Sequence, residues 1–338
     1  MKFVARAVLP TLVAILGLLV NHPALADAEE FYKGKTLRIV IGSSPGAGFD
    51  AFGRMVARHL PNYIPGQPSI VPGNLPGAGS MRAVQSLKVE PKDGTYIVLF
   101  NPGQIIYTIV NPKEFDNFKF TNVAFIGSAT ADVRVCWAWH TTGVKTIDDL
   151  LKRDRFATGH TGVGAATYLD AAILKNLFGA KLKQIVGYPG ATEQRIAVER
   201  GELDGDCGTW ESVPPDWLRD GKANVFVRIS RATAPDVPKV PHVGELADGE
   251  QKKVLDLAIA HHEIFRPFIV SAEVPPERIK VLREAFWRML HDKPFQEEAK
   301  RLGRDLVNPM RGEDVQKLVE RLYTAPSELV TKAAAAIK

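Results

Sequence analysis

The chain has 338 residues, of which 45% are hydrophobic and 24% charged, with a formal net charge of +5 at pH 7. This composition is typical of a globular protein, and because lysines and arginines form no cluster, nothing in it favours nucleic-acid binding. The length suits two domains of about 150 residues each.

Residues 1–26 predict a cleaved secretory signal peptide. Lys2 and Arg6 form a positive region around the start of the apolar run AVLPTLVAILGLLV, and ALA at 24–26 has the small residues of a cleavage site. A membrane anchor is the alternative, but the run is short for a span of about 20 residues. We therefore expect an exported protein whose mature chain begins near Asp27.

After the signal, strand-like and helix-like segments alternate. TLRIVIG is typical of a strand, and DAFGRMVARHL of a helix with Asp50 at its start. Strands separated by helices predict βαβ units and parallel sheets. The predicted strands are 36–42, 69–73, 123–130, 134–140, 155–160 and 224–230, with a further strand after the turn that opens 92–100 and another at the start of 183–190, which ends in the turn at 188–190. The predicted helices are 50–60, 80–88, 146–153, 167–179 and 191–201, with a mostly helical remainder from residue 248.

Several predicted strands end in a glycine-containing turn that opens a helix. Such turns lie at 42–48, 161–164 and 188–190, and PGAGS at 76–80 is a further turn of the same kind. In open α/β sheets, ligands bind beyond the carboxyl ends of the strands, where such turns cluster. Because the turns fall in two halves of the chain, they predict two lobes with a cleft between them.

The segment GSSPGAGFD at 42–50 has the composition of an anion site built from backbone N–H groups. A phosphate-binding P-loop is excluded, because neither Lys nor Ser or Thr follows Gly48. The letters GAGFDA match a dinucleotide fingerprint, but the acidic residue that should end the next strand is missing. Two alternatives remain: a backbone nest for a carboxylate or a similar anion, and a plain tight turn.

Side chains beside these turns have structural and ligand-binding alternatives. Asp50 either caps its helix and pairs with Arg54, or accepts a hydrogen bond from a ligand or an ordered water. Ser80 is a possible cap for the helix that follows PGAGS. Arg82 in the first turn of that helix faces either an anionic ligand or solvent.

The second half of the chain offers polar and aromatic candidates of its own. GHTGVGAATY presents His160, Thr161 and the backbone of 162–165, although a lone histidine is more often a packed or surface residue. Tyr188 and Trp210 either stack on a flat ligand or belong to the core. These alternatives stay open at the level of sequence.

No set of residues for catalysis or metal binding is evident. His261 and His262 with Glu263 do not form H-E-x-x-H and lack a third ligand, and G-x-S-x-G does not occur. Cys136 and Cys207 lack the spacing of a metal site, and in an exported protein they form either a disulfide or two buried thiols. The sequence therefore predicts a binding protein without catalytic residues, metal or cofactor.

The order of these motifs resembles the substrate-binding receptors of tripartite tricarboxylate transporters, the Bug receptors. The resemblance covers nearly the whole mature chain and is carried by KTLRIVIGSSPGAGFDAFGRMVARHL, VPGNLPGAGSMRA, PKDGTYIVLF, GHTGVGAATYLDAAIL and GYPGATEQRIAVERGELDG. It implies a monomeric periplasmic protein of the Gram-negative type, with an α/β, two-lobed type II periplasmic binding protein fold of the Venus flytrap kind and a ligand cleft between lobes. We place lobe 1 at 27–126 plus 231–338 and lobe 2 at 127–230, with hinge strands near 126–129 and 228–230.

The resemblance also implies how the ligand is held. A carboxylate of a small organic acid would lie between the first-strand loop and the PGAG loop, bound by backbone N–H groups and ordered water, and the second lobe would close over its far end. Transporter subunits in the inner membrane would read the closed form. The predicted ligand-binding residues are Ser43, Ser44, Ala47, Gly48, Phe49, Asp50, Gly77, Ala78, Gly79, Ser80, Asn101, Thr161, Gly162, Gly164, Ala165, Tyr188, Thr209 and Trp210.

The chain departs from the usual Bug pattern near the predicted site. The family usually has an aromatic residue or proline at Ser43 and Ser44, a small hydroxyl residue at Phe49 and a second glycine at Ser80. Phe49, with the aromatic residues of the second half, suits an aromatic carboxylate as an alternative to a di- or tricarboxylate. A ligand sensor that docks on a membrane kinase and an exported enzyme acting on an organic acid are the alternative functions.

Overall fold

The structure is a computed structural model that describes residues 30–304 and 306–338. The predicted signal peptide lies outside the described residues. The strands are β1 (Thr36–Ile41), β2 (Ser69–Asn74), β3 (Tyr96–Leu99), β4 (Val123–Thr130), β5 (Arg134–Trp139), β6 (Phe156–His160), β7 (Leu182–Val186), β8 (Gly205–Thr209), β9 (Ala223–Arg228), β10 (Phe265–Ser271) and β11 (Met310–Arg311).

The helices alternate with these strands in the first two thirds of the chain and dominate the last third. They are α1 (Gly48–His59), α2 (Met81–Ser86), α3 (Gly103–Val110), α4 (Ile147–Lys152), α5 (Ala166–Asn176), α6 (Ala191–Glu199), α7 (Pro215–Arg219), α8 (Gly249–Ala258), α9 (Pro276–Leu290), α10 (Lys293–Arg301), α11 (Gly312–Tyr323) and α12 (Ser327–Ile337). Along the described part of the chain, no helix is both long and apolar enough to cross a membrane.

The first lobe is built on a six-stranded sheet with the order β11-β4-β10-β3-β1-β2. β1 runs parallel to both β2 and β3, whereas β10 runs antiparallel to β3 and β4. All residues of β3, β4 and β10 are buried, as expected for a sheet covered by helices on both faces. The prediction of parallel sheets is therefore wrong for the strands through which the chain passes between the lobes.

The second lobe is built on a five-stranded sheet with the order β7-β6-β8-β5-β9. β5 lies antiparallel to β8 and β9, while β6 pairs in parallel with β7 and β8. Cys136 of β5 lies directly opposite Cys207 of β8, and the two form a disulfide. Of the two alternatives for the cysteines, the structure has the bonded one.

Two adjacent segments join the lobes. The chain leaves the first sheet at Thr130 and enters the second at Arg134, and it returns after β9. The two crossings touch each other, because the Arg134 backbone N–H donates to Ser230 Oγ (2.8 Å) and the Ile229 N–H donates to the Arg134 carbonyl (2.9 Å). This arrangement confirms the predicted two-lobed α/β fold.

The C-terminal helix α12 crosses from one lobe to the other. It packs against α3 of the first lobe, against α5 of the second, and along α8. Ala333, Ala336 and Ile337 are buried in that contact. At the end of α5, Asn176 Nδ2 donates to the backbone carbonyls of Ala336 (3.1 Å) and Lys338 (2.8 Å).

Candidate ligand site

A cavity of about 80 Å³ lies between the lobes, at the ends of the strands that carry glycine turns. It is smaller than the 300–1,000 Å³ of typical ligand pockets, because the two lobes touch around it. Eight of the predicted ligand-binding residues line it: Ser43, Ala47, Gly48, Phe49, Ser80, Asn101, Thr161 and Thr209.

The first-strand loop brings the start of α1 to the cavity wall. Ala47 and Gly48 line the cavity, and the helix begins at Gly48. The first N–H groups of a helix have no partner within it, and the helix dipole adds partial positive charge there. This end of the cavity is therefore suited to an anion.

Asp50 holds this loop in shape and does not line the cavity. Its carboxylate accepts hydrogen bonds from the Gly46 N–H (2.8 Å), Arg54 Nε (2.8 Å) and Asn74 Nδ2 (2.8 Å). Asn74 Nδ2 also donates to the Ser43 carbonyl (2.9 Å). The geometry favours the structural alternative for Asp50.

The PGAG loop contacts the other lobe rather than the cavity. Gln104 of the first lobe links this loop to the second lobe, because its Nε2 donates to the carbonyls of Ala78 (3.0 Å) and Gly79 (3.1 Å) and also to that of Val163 (3.3 Å). A Cβ on Gly162 would lie 2.5 Å from the Gly79 nitrogen. The two backbones are therefore so close that only glycine, which has no Cβ, fits at position 162. Ala78, Gly79, Gly162, Gly164 and Ala165 thus lie at the lobe contact, outside the cavity lining, and Gly77 also lies outside that lining.

Two further predicted residues bridge the lobes. Asn101 Oδ1 accepts from the Gly103 N–H (3.0 Å) in the first lobe and from the Ala166 N–H (3.0 Å) at the start of α5. Ser44 is buried, and its hydroxyl donates to Glu193 Oε2 (3.3 Å) on α6. Both contacts form only while the lobes are together.

The aromatic candidates separate from one another in the structure. Phe49 lines the cavity and packs edge-on against Phe265. Tyr188 lies beside the backbone of Gly159 and away from the cavity. Trp210 lines a neighbouring space, described below, so the three aromatic rings do not form one stacking surface.

The sequence reading missed Arg266, which lines the cavity from β10. The side chain is 0% exposed, and its guanidinium carbon lies 4.5 Å and 4.8 Å from the ring centroids of Phe52 and Phe265. Burial, reinforced by Arg304, lowers the pKa of Arg266 well below its ordinary value. Its φ of 53° lies in the left-handed region, which is costly for an arginine and is found at functional sites.

The acid in contact with Arg266 is Glu211 of the second lobe. Glu211 Oε1 pairs with Arg266 Nη2 and lies 3.3 Å from Arg304 Nη1. Among the described residues, the guanidinium nitrogens of Arg266 make no hydrogen bond of good geometry. Arg266 and Glu211 therefore form a charge pair across the cavity with donor capacity to spare.

A second missed arginine, Arg134, lines the cavity from β5. Its Nη1 pairs with Asp132 Oδ2 (2.8 Å) and its Nε with Asp170, while Nη2 donates to the Cys207 carbonyl (3.1 Å). Burial raises the pKa of Asp170, but Arg134 and His262 outweigh it and hold that pKa at about 2. The Arg134 guanidinium thus has a partner at each of its three nitrogens and stabilises the connection between the lobes.

Asp170, His261 and His262 could in principle hold a metal ion, because ligand atoms of the three lie within 4.8 Å of one another. Arg134 already binds the Asp170 carboxylate, and its positive charge opposes a second cation at the same oxygen pair. The cluster is better described as an extended buried ion pair than as a metal centre.

Asp206 and His160 differ in how they meet the cavity. Asp206 lines it, and burial raises the pKa of Asp206 to about 7. His160 is buried behind it, with Nε2 2.9 Å from Thr158 Oγ1, and burial lowers the pKa of His160 to about 3. His160 is thus a neutral packed residue, whereas Asp206 is able to carry a proton near neutral pH.

A larger chamber of about 320 Å³ adjoins the cavity. Thr209, Glu211 and Phe265 line both spaces and so separate them. The chamber wall is mainly apolar, with Trp210, Val213, Pro215 and Leu218 from the second lobe and Leu302 and Val307 from the first. We call the smaller space the inner cavity and the larger one the outer chamber.

A two-lobed α/β chain with a charged cavity at the lobe contact has the architecture of a periplasmic binding protein. Among solved structures, MatC from Rhodopseudomonas palustris with bound malate matches with a TM-score of 0.71 at 16% identity, over 88% of this chain and 99% of MatC. The periplasmic binding protein BugD matches with a TM-score of 0.70 at 20% identity, over 89% of this chain and 98% of BugD.

The sequence itself also has a curated relative. It is 25% identical over 334 residues to the UPF0065 protein in the TAR-I ttuE-ttuC' intergenic region of Agrobacterium vitis, over 94% of this chain and 90% of that protein. No family model matches the chain. Together these likenesses confirm the resemblance to the Bug-type receptors of tripartite tricarboxylate transporters.

Proposed function

We propose that the protein is a periplasmic solute-binding receptor that captures a small organic carboxylate between its lobes and delivers it to a tripartite tricarboxylate-type membrane transporter. The observation that carries this proposal is Arg266, a fully buried guanidinium at a cavity whose wall also includes the start of α1. A buried cation and a helix N-terminus both favour a negative ligand group. MatC, with bound malate, supports the same ligand class.

The contacts between the lobes explain how such a ligand would be enclosed. The hydrogen bond between Asn101 and the Ala166 N–H and the close backbone contact between Gly79 and Gly162 form only when the lobes touch. A ligand that contacts both walls of the cavity favours the closed form over the open one, and the closed form is then what the transporter recognises. We place the moving lobes at 27–126 plus 231–338 and at 127–230, with hinges near 126–129 and 228–230.

The receptor acts by binding alone in this proposal, as a monomer and without a cofactor. The ligand-contacting residues are those that line the inner cavity, with Ser43, Ser80 and Thr161 supplying hydroxyl groups. The remaining predicted residues contribute by holding the loops and the lobe contact.

A thermal-shift screen of the mature protein tests the proposal. The panel contains malate, citrate, adipate, benzoate and phenylacetate, with phenylacetamide as an uncharged control for phenylacetate. A ligand at a hundredfold excess over its Kd stabilises the folded state by about 2.7 kcal/mol. We expect at least one acid to raise Tm while the amide does not. A flat response across all the acids contradicts carboxylate binding.

The transporter step has its own test. Cells that carry the gene and cells that lack it are compared for uptake of the radiolabelled acid found in the screen. We expect uptake to fall in the deletion strain and to return when the gene is restored. Unchanged uptake would separate the binding function from transport and favour a sensor.

A further inference from the structure

Glu211 occupies the position where a ligand carboxylate would meet Arg266. We propose that Glu211 is a built-in competitor of the ligand: its carboxylate fills the Arg266 anchor in the unliganded molecule, and an incoming carboxylate must displace it. This inference rests on the proposed carboxylate-binding function and adds the anchor and the residue that sets the threshold for binding.

Glu211 pairs with two cations of the opposite lobe. It lies just after β8, in the second lobe, and both of its cationic partners belong to the first lobe: Arg266 on β10 and Arg304 after α10. Glu211 is 16% exposed, so its side chain retains contact with water, whereas Arg266 is 0% exposed. The acid is therefore the partner with access to water, and it is the one that we expect to move.

The buried charge of Arg266 requires an anion beside it. A cation as deeply buried as Arg266 is strongly unfavourable without an anion beside it. Glu211 meets that need when the cavity is empty, and a ligand carboxylate meets it equally well through the guanidinium donors that make no well-aligned hydrogen bond among the described residues. In this proposal Arg266 thus binds two exchangeable anions, the Glu211 carboxylate and the ligand carboxylate.

Glu211 also lies between two spaces in the molecule. It lines both the inner cavity of about 80 Å³ and the outer chamber of about 320 Å³. When Glu211 leaves Arg266, a carboxylate held at Arg266 can extend its body into the chamber between Trp210 and Leu302. The expected ligand is therefore an acid with an apolar body, such as an aryl or a longer alkyl group, rather than the shortest acids.

The proposal differs in sign from the simpler idea that Glu211 only fastens the lobes together. If the Glu211–Arg266 pair merely stabilises the closed form, removing the glutamate charge weakens closure and lowers the affinity for every ligand. If Glu211 competes with the ligand, removing its charge raises the affinity for acids. Glu193 provides a matched control, because it too bridges the lobes, through Ser44, yet lies outside the cavity lining.

The test is isothermal titration calorimetry with phenylacetate, adipate and acetate on the wild type and on the Glu211→Gln, Glu193→Gln and Arg266→Met variants. We expect Glu211→Gln to bind phenylacetate or adipate at least about tenfold more tightly, as removal of a close competing charge allows. The gain for acetate, which leaves the chamber empty, should be smaller. Glu193→Gln should stay within about twofold of the wild type, and Arg266→Met should abolish binding.

The double variant Glu211→Gln/Arg266→Met completes the cycle. We expect no gain from Glu211→Gln in this background, because the anchor is gone, and near-ultraviolet circular dichroism checks that both arginine variants are folded. If the wild type binds an acid and Glu211→Gln binds it equally or more weakly, the competitor role is overturned while the receptor function stands. If neither protein binds any acid, the proposed function itself is overturned.

Discussion

Arg134 is expected to carry more of the stability of this fold than any surface ion pair. It neutralises two carboxylates, those of Asp132 and Asp170, which are both fully buried. The change Arg134→Met keeps much of the side-chain volume but leaves both acids without their cation. Breaking a buried pair in this way costs about 3–5 kcal/mol, and we expect a loss in the free energy of unfolding of that size at pH 7.

The pH dependence follows from Asp170. In the wild type the pKa of Asp170 is held at about 2, below its ordinary value of 3.8, so its stabilising contribution is present above pH 4 and is lost as the pH falls through 2. Without Arg134, burial is opposed only by the smaller effects of His262 and His261, and we expect the pKa of Asp170 to rise. The carboxyl then takes up a proton on folding, and the loss caused by Arg134→Met should be smaller at pH 5 than at pH 7.

Urea unfolding, followed by circular dichroism and tryptophan fluorescence at both pH values, measures these losses. Arg219→Met is the control, because Arg219 forms an exposed pair with Asp220, and its effect should stay within about 0.5 kcal/mol. The double variant Arg134→Met/Asp170→Asn should recover part of the loss. A loss below about 1 kcal/mol for Arg134→Met, or no recovery in the double variant, would refute the reasoning.

Three further predictions concern the disulfide, the cavity and the lobe contact. Reducing Cys136–Cys207, which closes a loop with a sequence separation of 71, should cost about 4 kcal/mol of unfolding free energy; equal urea midpoints with and without reductant would contradict this. The pKa of Asp206 is about 7, and a ligand carboxylate beside it opposes its ionisation. Binding of the ligand should therefore be accompanied by uptake of a proton at Asp206. Affinity measured by calorimetry should then fall as the pH rises from 6 to 9, by up to about tenfold per unit above 7, and Asp206→Asn should remove this slope. Gly162→Val, whose Cβ would lie 2.5 Å from the Gly79 nitrogen, should weaken acid binding at least about tenfold with little change in the urea midpoint, and unchanged affinity would argue against the closed contact.

The parts of the fold that local sequence encodes were predictable. TLRIVIG, the glycine turns and the following helices combine apolar periodicity with residues suited to tight turns, and the structure has β1 and α1 there. Three strands were missed: β8, β10 and the two-residue β11, which lies in the remainder predicted as mostly helical. β8 reads GDCGT and lacks β-branched residues apart from its last, and β10 lies within the stretch assigned as mostly helical.

The charged part of the site was missed for a different reason. Arg266 and Glu211 are far apart in the sequence, and only the return of the chain after β9 brings them together. A usable signal was nevertheless present: FRPFIVS and RVCWAW each contain an arginine in an otherwise apolar strand, and both Arg266 and Arg134 are buried. A charge that interrupts a buried strand needs a partner, and that partner indicates the site.

The eleven residues of helix α12, Ser327–Ile337, contact both lobes near the end of the chain. Helix α12 packs on α3, α5 and α8. When the lobes separate, either α5 slides along α12, or the second lobe rotates about α12. Asn176 Nδ2 donates a hydrogen bond to the Ala336 carbonyl, and this bond opposes sliding of α5 along α12 and favours rotation. We therefore expect a tag or truncation at this end of the chain to change how readily the lobes separate, and with it the affinity for the proposed ligand.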